Sequence, residues 1–161
     1  MSELVVPKRK VGVGLRLRSG DALEGHVYAA TMTSRGLPEQ VVDRLNDPFE
    51  EFLPFATGQR HILLRKTNIV TVDVKGAAAR EEKPYSVGLK SFDVEIWLRD
   101  GTRSTGRTYA LVEPAHARAL DVMNRIPTRF VSLVESDKVV IVNFEYVVAV
   151  LESAGMTGGA A

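Results

Sequence analysis

The chain has 161 residues, 45% of them apolar and 25% charged, with 21 Lys and Arg against 20 Asp and Glu. That bounds it to one ordinary soluble domain or two very small ones, and it lacks the global basic excess on which phosphate-backbone binding draws. Cysteine is absent, which excludes disulfides, thiolate metal sites and cysteine nucleophiles and fits a reducing compartment.

No apolar run nears the roughly 18 residues that span a bilayer. In the opening "MSELVVPKRK" the charges follow the apolar residues, the wrong order for a signal peptide. The expected location is the cytoplasm.

Residues 1–10 read as a tail. Val11, Val13, Leu15 and Leu17 then alternate with Gly12, Gly14, Arg16 and Arg18, the period-two pattern of a half-buried strand. Ser19-Gly20 marks a turn, and the return strand is expected near 22–31. Gly25 inside it signals a bulge or a sharp corner. "LPEQVVDRLN" places Pro38 near a helix start, Val41, Val42 and Leu45 on one side and Asn46 at the exit. Three short strands follow, near 52–57, 60–66 and 68–74. "GAAAREEKPYSVGLKS" (76–91) reads as a linker.

The second half repeats the plan. Phe92, Val94, Ile96 and Leu98 alternate with Asp93, Glu95, Trp97 and Arg99. Asp100-Gly101 suits a two-residue type I′ turn, and the return strand, near 103–112, carries Gly106. "EPAHARALDVMN" offers Pro114, Leu120, Met123 and Asn124 for a second helix. Strands are expected near 130–135, 138–143 and 145–151, and 154–161 reads as a disordered tail.

These likenesses are ordered. At an offset of 81, Leu17, Arg18, Gly20, Gly25, Tyr28 and Ala29 fall on Leu98, Arg99, Gly101, Gly106, Tyr109 and Ala110. At an offset of 78, Asp43, Asn46 and Phe52 fall on Asp121, Asn124 and Phe130. One change of register is what a loop deletion produces. The sequence therefore reads as a tandem duplication, residues 11–75 and 92–153, of a ββαβββ unit. A bent five-stranded sheet that small closes into a barrel to bury its inner face and protect its edges. The expected fold class is mainly β with short helices.

This plan resembles the small β-barrels of the Sm/LSm and SH3 type. "LRLRSGDALEGHV" (Leu15–Val27) is similar to the first Sm motif with its two glycines, and "ILLRKTNIVTV" (Ile62–Val72) to the second, in which an apolar strand ends in Arg-Gly. Lys66 stands where that glycine is expected. "VVIVNFEYVVAV" (Val139–Val150) lacks both Arg and Gly, and a helix replaces the family's long third strand. The resemblance implies that Arg65 helps hold a base and that the edge strands associate.

Chemistry is thin. His26, His61 and His116 do not recur between the copies and show no metal-ligand spacing. No nucleophile elbow or phosphate loop is present, so no catalytic residue, metal or cofactor is expected. Asp43 and Asp121 form the one conceivable carboxylate pair, a distant hydrolase reading. Stabilising a helix and its exit explains them better. Lys and Arg against Asp and Glu number 8 against 8 in residues 11–75 and 7 against 9 in residues 92–153. Nucleic-acid binding through Arg16, Arg18 and Arg65 is therefore the alternative reading.

Surplus hydrophobicity is more informative. Residues 138–151 are apolar on both faces of two strands, so both faces should be buried, against the first copy or another chain. Trp97 takes the solvent-facing phase where the first copy has Arg16, to pack under the linker or anchor a partner. Trp97, Val140, Val142, Tyr146 and Val148 are thus the expected interaction surface. The favoured function is a non-enzymatic assembly or protein-interaction module that self-associates, with no membrane or small-molecule partner.

Overall fold

A computed structural model of the chain describes residues 7–84, 88–110, 122–124 and 128–152. It is mainly β: ten strands form one continuous antiparallel sheet. The first hairpin pairs β1 (Lys8–Leu17) with β2 (Ala22–Ala30). Its ladder reaches back to Lys8↔Ala30, and the Thr31 amide donates to the Pro7 carbonyl. The basic segment 8–10 is therefore strand rather than tail.

Both hairpin turns are of another kind than the type I′ turn expected at Asp100-Gly101. The Leu17 amide donates to Asp21 O at 2.9 Å and the Gly20 amide to Leu17 O at 2.9 Å. Only Gly20 takes a positive φ, 94°. The same two bonds and a φ of 85° at Gly101 recur in the turn 98–102. This is a three-residue loop closed by a glycine bulge. The left-handed step falls on the residue that has no Cβ, and Asp100 keeps an ordinary φ.

Gly25 is a genuine corner. A Cβ there would lie 2.2 Å from the Ala56 carbonyl oxygen and 2.6 Å from Phe55 Cζ, so only glycine lets β3 (Phe52–Thr57) cross β2 that closely. Gly106 faces the milder approach of Leu133 Cβ at 3.0 Å.

The remaining strands are β4 (Arg60–Arg65), β5 (Ile69–Lys75), β6 (Lys90–Leu98), β7 (Arg103–Ala110), β8 (Phe130–Val134), β9 (Lys138–Asn143) and β10 (Val147–Glu152). Their order across the sheet is β10-β6-β7-β8-β9-β5-β1-β2-β3-β4. Registers recur between the halves: Val11↔Val27 as Phe92↔Thr108, 81 residues on, and Phe52↔Arg65 as Phe130↔Asn143, 78 residues on. The irregularity in the β1–β5 pairing, Arg16↔Thr71 followed by Leu17↔Ile69, recurs as Trp97↔Ala149 followed by Leu98↔Val147.

Two buried cores lie along the sheet. The first gathers Val11, Leu15, Val27, Phe55, Val72 and the helix residue Leu45. The second gathers Phe92, Val94, Ile96, Leu98 and Leu133. Helix α1 (Val41–Leu45) is shorter than the expected 37–46. Residues 76–84 depart from the linker reading. Ala77–Glu81 form a helix, α2, with Ala79 buried and Glu82 fully buried beside it, as an alanine run with high helix propensity allows. The expected second helix lies outside the described residues, apart from Val122 and Met123, which are helical. Pro114, His116, Leu120 and Asp121 lie outside them, as does the tail 154–161.

Gly25→Ala should lower unfolding free energy by about 1–3 kcal/mol through overpacking against backbone. Gly12→Ala, whose new Cβ meets nothing nearer than 4.0 Å, should stay within about 0.5 kcal/mol. Urea unfolding of the two variants checks the contrast.

Candidate functional site

The halves meet where β5 pairs with β9, in the register Thr71↔Val142, Val72↔Ile141 and Asp73↔Val140. β9 is apolar on both faces for a reason. Val139 and Ile141 enter the first core, Val140 and Val142 the second. Phe130 crosses into the first core and Val70 into the second.

Polar ties fasten the joint. The Asn46 carboxamide grips one residue of β8: its Nδ2 donates to Phe130 O at 2.9 Å and its Oδ1 accepts from Phe130 N at 2.8 Å. Asn143, fully buried, donates Nδ2 to Ile69 O at 2.9 Å, and the Tyr146 hydroxyl donates to Thr67 O. Arg16 reaches across to the β6–β7 turn, 2.9 Å from Asp100 Oδ2 and 2.6 Å from Thr102 Oγ1. Burial pushes the Asp100 carboxyl up, but Thr102 and Arg16 together outweigh that and hold it below its usual value.

The two ends of the sheet expose what this joint buries. β4 and β10 are the terminal strands. Val70, Phe130 and Ile141 are 3%, 1% and 0% exposed at the joint, whereas Val148, Phe52 and Leu63, their counterparts at the offset of 78, are 58%, 38% and 68% exposed. Exposed, apolar, unpaired edges are where sheets acquire another strand.

The expected interaction surface is redistributed by this geometry. Val140, Val142 and Tyr146 are interior, because β9 serves as the wall between the cores. Val148 lies on the exposed β10 edge. Trp97 is half-buried on β6, with the Arg103 guanidinium 4.1 Å from its ring centroid. Arg16 is engaged with Asp100, and Arg65 pairs with Glu51 and lies over the Phe52 ring. Arg18 is exposed in the first turn.

Asp43 performs the helix-start role: its Oδ2 accepts from the Gln40 amide at 3.2 Å, closing the first turn of α1. His26 and His61 are exposed on separate strands. Among the described residues no cluster of His, Asp and Glu is arranged to hold a metal. No described helix is long and apolar enough to cross a membrane.

Lys66 and Glu82 are among the buried charges that escaped the sequence reading. Lys66 opens the helical turn Lys66–Asn68 and donates Nζ to Arg44 O at 2.6 Å and Asp47 O at 3.3 Å, with Glu50 3.7 Å away. Burial lowers its pKa, and Glu50 and Asp47 oppose that. Glu82 accepts from the Val41 amide at 2.7 Å and lies 3.2 Å from Arg9, tying β1, α1 and α2 together. The one signal in the sequence was the amphipathic placing of charge in "AAAREE", which a linker reading passes over.

Burial pushes the Glu82 carboxyl above its ordinary 4.5, against the pull of the Val41 amide and Arg9. The folded chain thus holds this proton more tightly than the unfolded chain. The resulting stabilisation is complete below 4.5 and is lost as pH rises through the raised value. Glu82→Gln cannot titrate, so the stability of wild type relative to this variant should fall as pH rises through that window. Urea unfolding across a pH series measures it, and a pH-independent difference contradicts the assignment.

No protein-family model, curated protein or solved structure matches this chain.

Proposed function

We propose that the chain is a non-enzymatic assembly module of two fused copies of one small Sm-like barrel, which joins head to tail with further copies of itself. One observation carries this reading: the β5–β9 joint buries the residues whose counterparts stand exposed on β10 and β4. The recurrence of every shared register, irregularity included, supports a duplication.

The inferred contact pairs β10 of one chain with β4 of the next, in the frame Ala149 to Leu64, Val150 to Leu63 and Leu151 to Ile62. Such a contact is heterologous. It leaves a free edge on each partner, so it closes into a ring or continues as a filament. Burying Leu63 and Val148 contributes about 1.5–3 kcal/mol for each side chain. The nucleic-acid alternative has less support, because Arg16 and Arg65 already neutralise Asp100 and Glu51 within the chain.

Light scattering on the full chain should give a mass above 17.7 kDa. Leu63→Lys or Val148→Lys should each reduce it, with the thermal midpoint retained. Each variant keeps the opposite edge intact, so mixing the two should produce a dimer of twice the chain mass. A clean monomer at high concentration contradicts the reading. A salt-dependent mobility shift with generic RNA, lost in Arg65→Ala, would favour the alternative.

A further inference from the structure

The recurrence of Asn46 and Asn124 is not explained by closing a helix alone, because the Asn46 side chain is spent on the other half of the chain. Its carboxamide sets an NH2 donor group and a C=O acceptor side by side on one plane. It meets the N–H and C=O of one extended residue, Phe130, at 2.8 and 2.9 Å, much as a neighbouring strand would. Aspartate has no donor for that carbonyl, and glutamine is one methylene longer.

Both members of this pair have counterparts at the same offset of 78: Asn124 for Asn46 and Phe52 for Phe130. Asn124 is exposed, just after the helical residues Val122 and Met123, in the half of the sheet that ends at β10. Phe52 lies on β3, next to the terminal strand β4, and is 38% exposed where Phe130 is 1% exposed. The two therefore sit in opposite halves, Asn124 in the half that ends at β10 and Phe52 one strand in from β4.

We infer that Asn124 is the docking residue for a second copy of this chain: its carboxamide takes the backbone N–H and C=O of Phe52 in that copy, as Asn46 takes those of Phe130. This rests on the head-to-tail reading and adds to it a specific recognition contact. The contact also sets register, because a slip by one residue would present a strand N–H and C=O that point the other way. The apolar ring of Phe52 then enters the second core as Phe130 enters the first.

The test uses the full chain. Asn124→Ala should weaken chain-to-chain association about tenfold, the scale of 1.4 kcal/mol, read by light scattering over a dilution series. The thermal midpoint of the dilute chain should stay unchanged. Asn124→Asp, close in shape but with a charged acceptor oxygen in place of the amide donor, should also weaken association and guards against a folding defect in the alanine variant. Asn46→Ala should show the opposite signature, a lowered midpoint of the dilute chain, because its partner is internal. If both Asn124 variants associate as tightly as wild type, the contact is overturned while the edge pairing stands. A lowered midpoint with unchanged association also overturns it, leaving Asn124 a helix-end residue. If wild type does not associate, both readings fall together.

Discussion

The pairing of β5 with β9 is the interaction on which the rest of the structure depends. A five-stranded half of about 65 residues has too little interior to be comfortably stable alone. Here one strand serves two interiors: Val139 and Ile141 on one face of β9, Val140 and Val142 on the other. Remove that pairing and each half loses part of its own core, since Phe130 is lent to the first and Val70 to the second. The joint is thus a shared core more than a contact between finished domains.

The same strand order leaves β4 and β10 each paired on one side alone among the described residues, and those edges expose Leu63 and Val148. The open edges are not copies of the joint in every detail. Arg16, which ties the halves through Asp100 and Thr102, is replaced by Trp97. Asn143, which donates to Ile69, corresponds to Arg65. The proposed contact between chains would lack those polar ties of the internal joint and should be the weaker and more reversible of the two. Asn46 and Asn124 are the polar pair that both would keep.

Much of the fold was legible because it follows from local chemistry. Strict alternation located both first strands, and Gly25 was read as a corner, which the close approach of Ala56 O explains. Asp100-Gly101 suits both a two-residue type I′ turn and a three-residue loop with a glycine bulge, and it is the hydrogen bond from the Leu98 amide to Thr102 O that distinguishes them. Double-sided hydrophobicity at 138–143 signalled burial on both faces. It did not say whether the covering surface lay inside the chain or outside it, so Val140 and Val142 were read as an interaction surface. The roles of Lys66, Glu82 and Asn46 were illegible, because each partner lies far along the chain, up to 84 residues away for Asn46.

The most direct measurement is a cross-link across the inferred edge, made in a chain that has no cysteine of its own. Val150→Cys and Leu63→Cys are placed as Val72 and Ile141 are at the internal joint, where those two residues are register partners. A mixture of the two single variants, oxidised and run without reductant, should give a covalent dimer, and neither variant alone should give one. A dimer formed by either variant alone, or none in the mixture, would contradict head-to-tail pairing through β10 and β4.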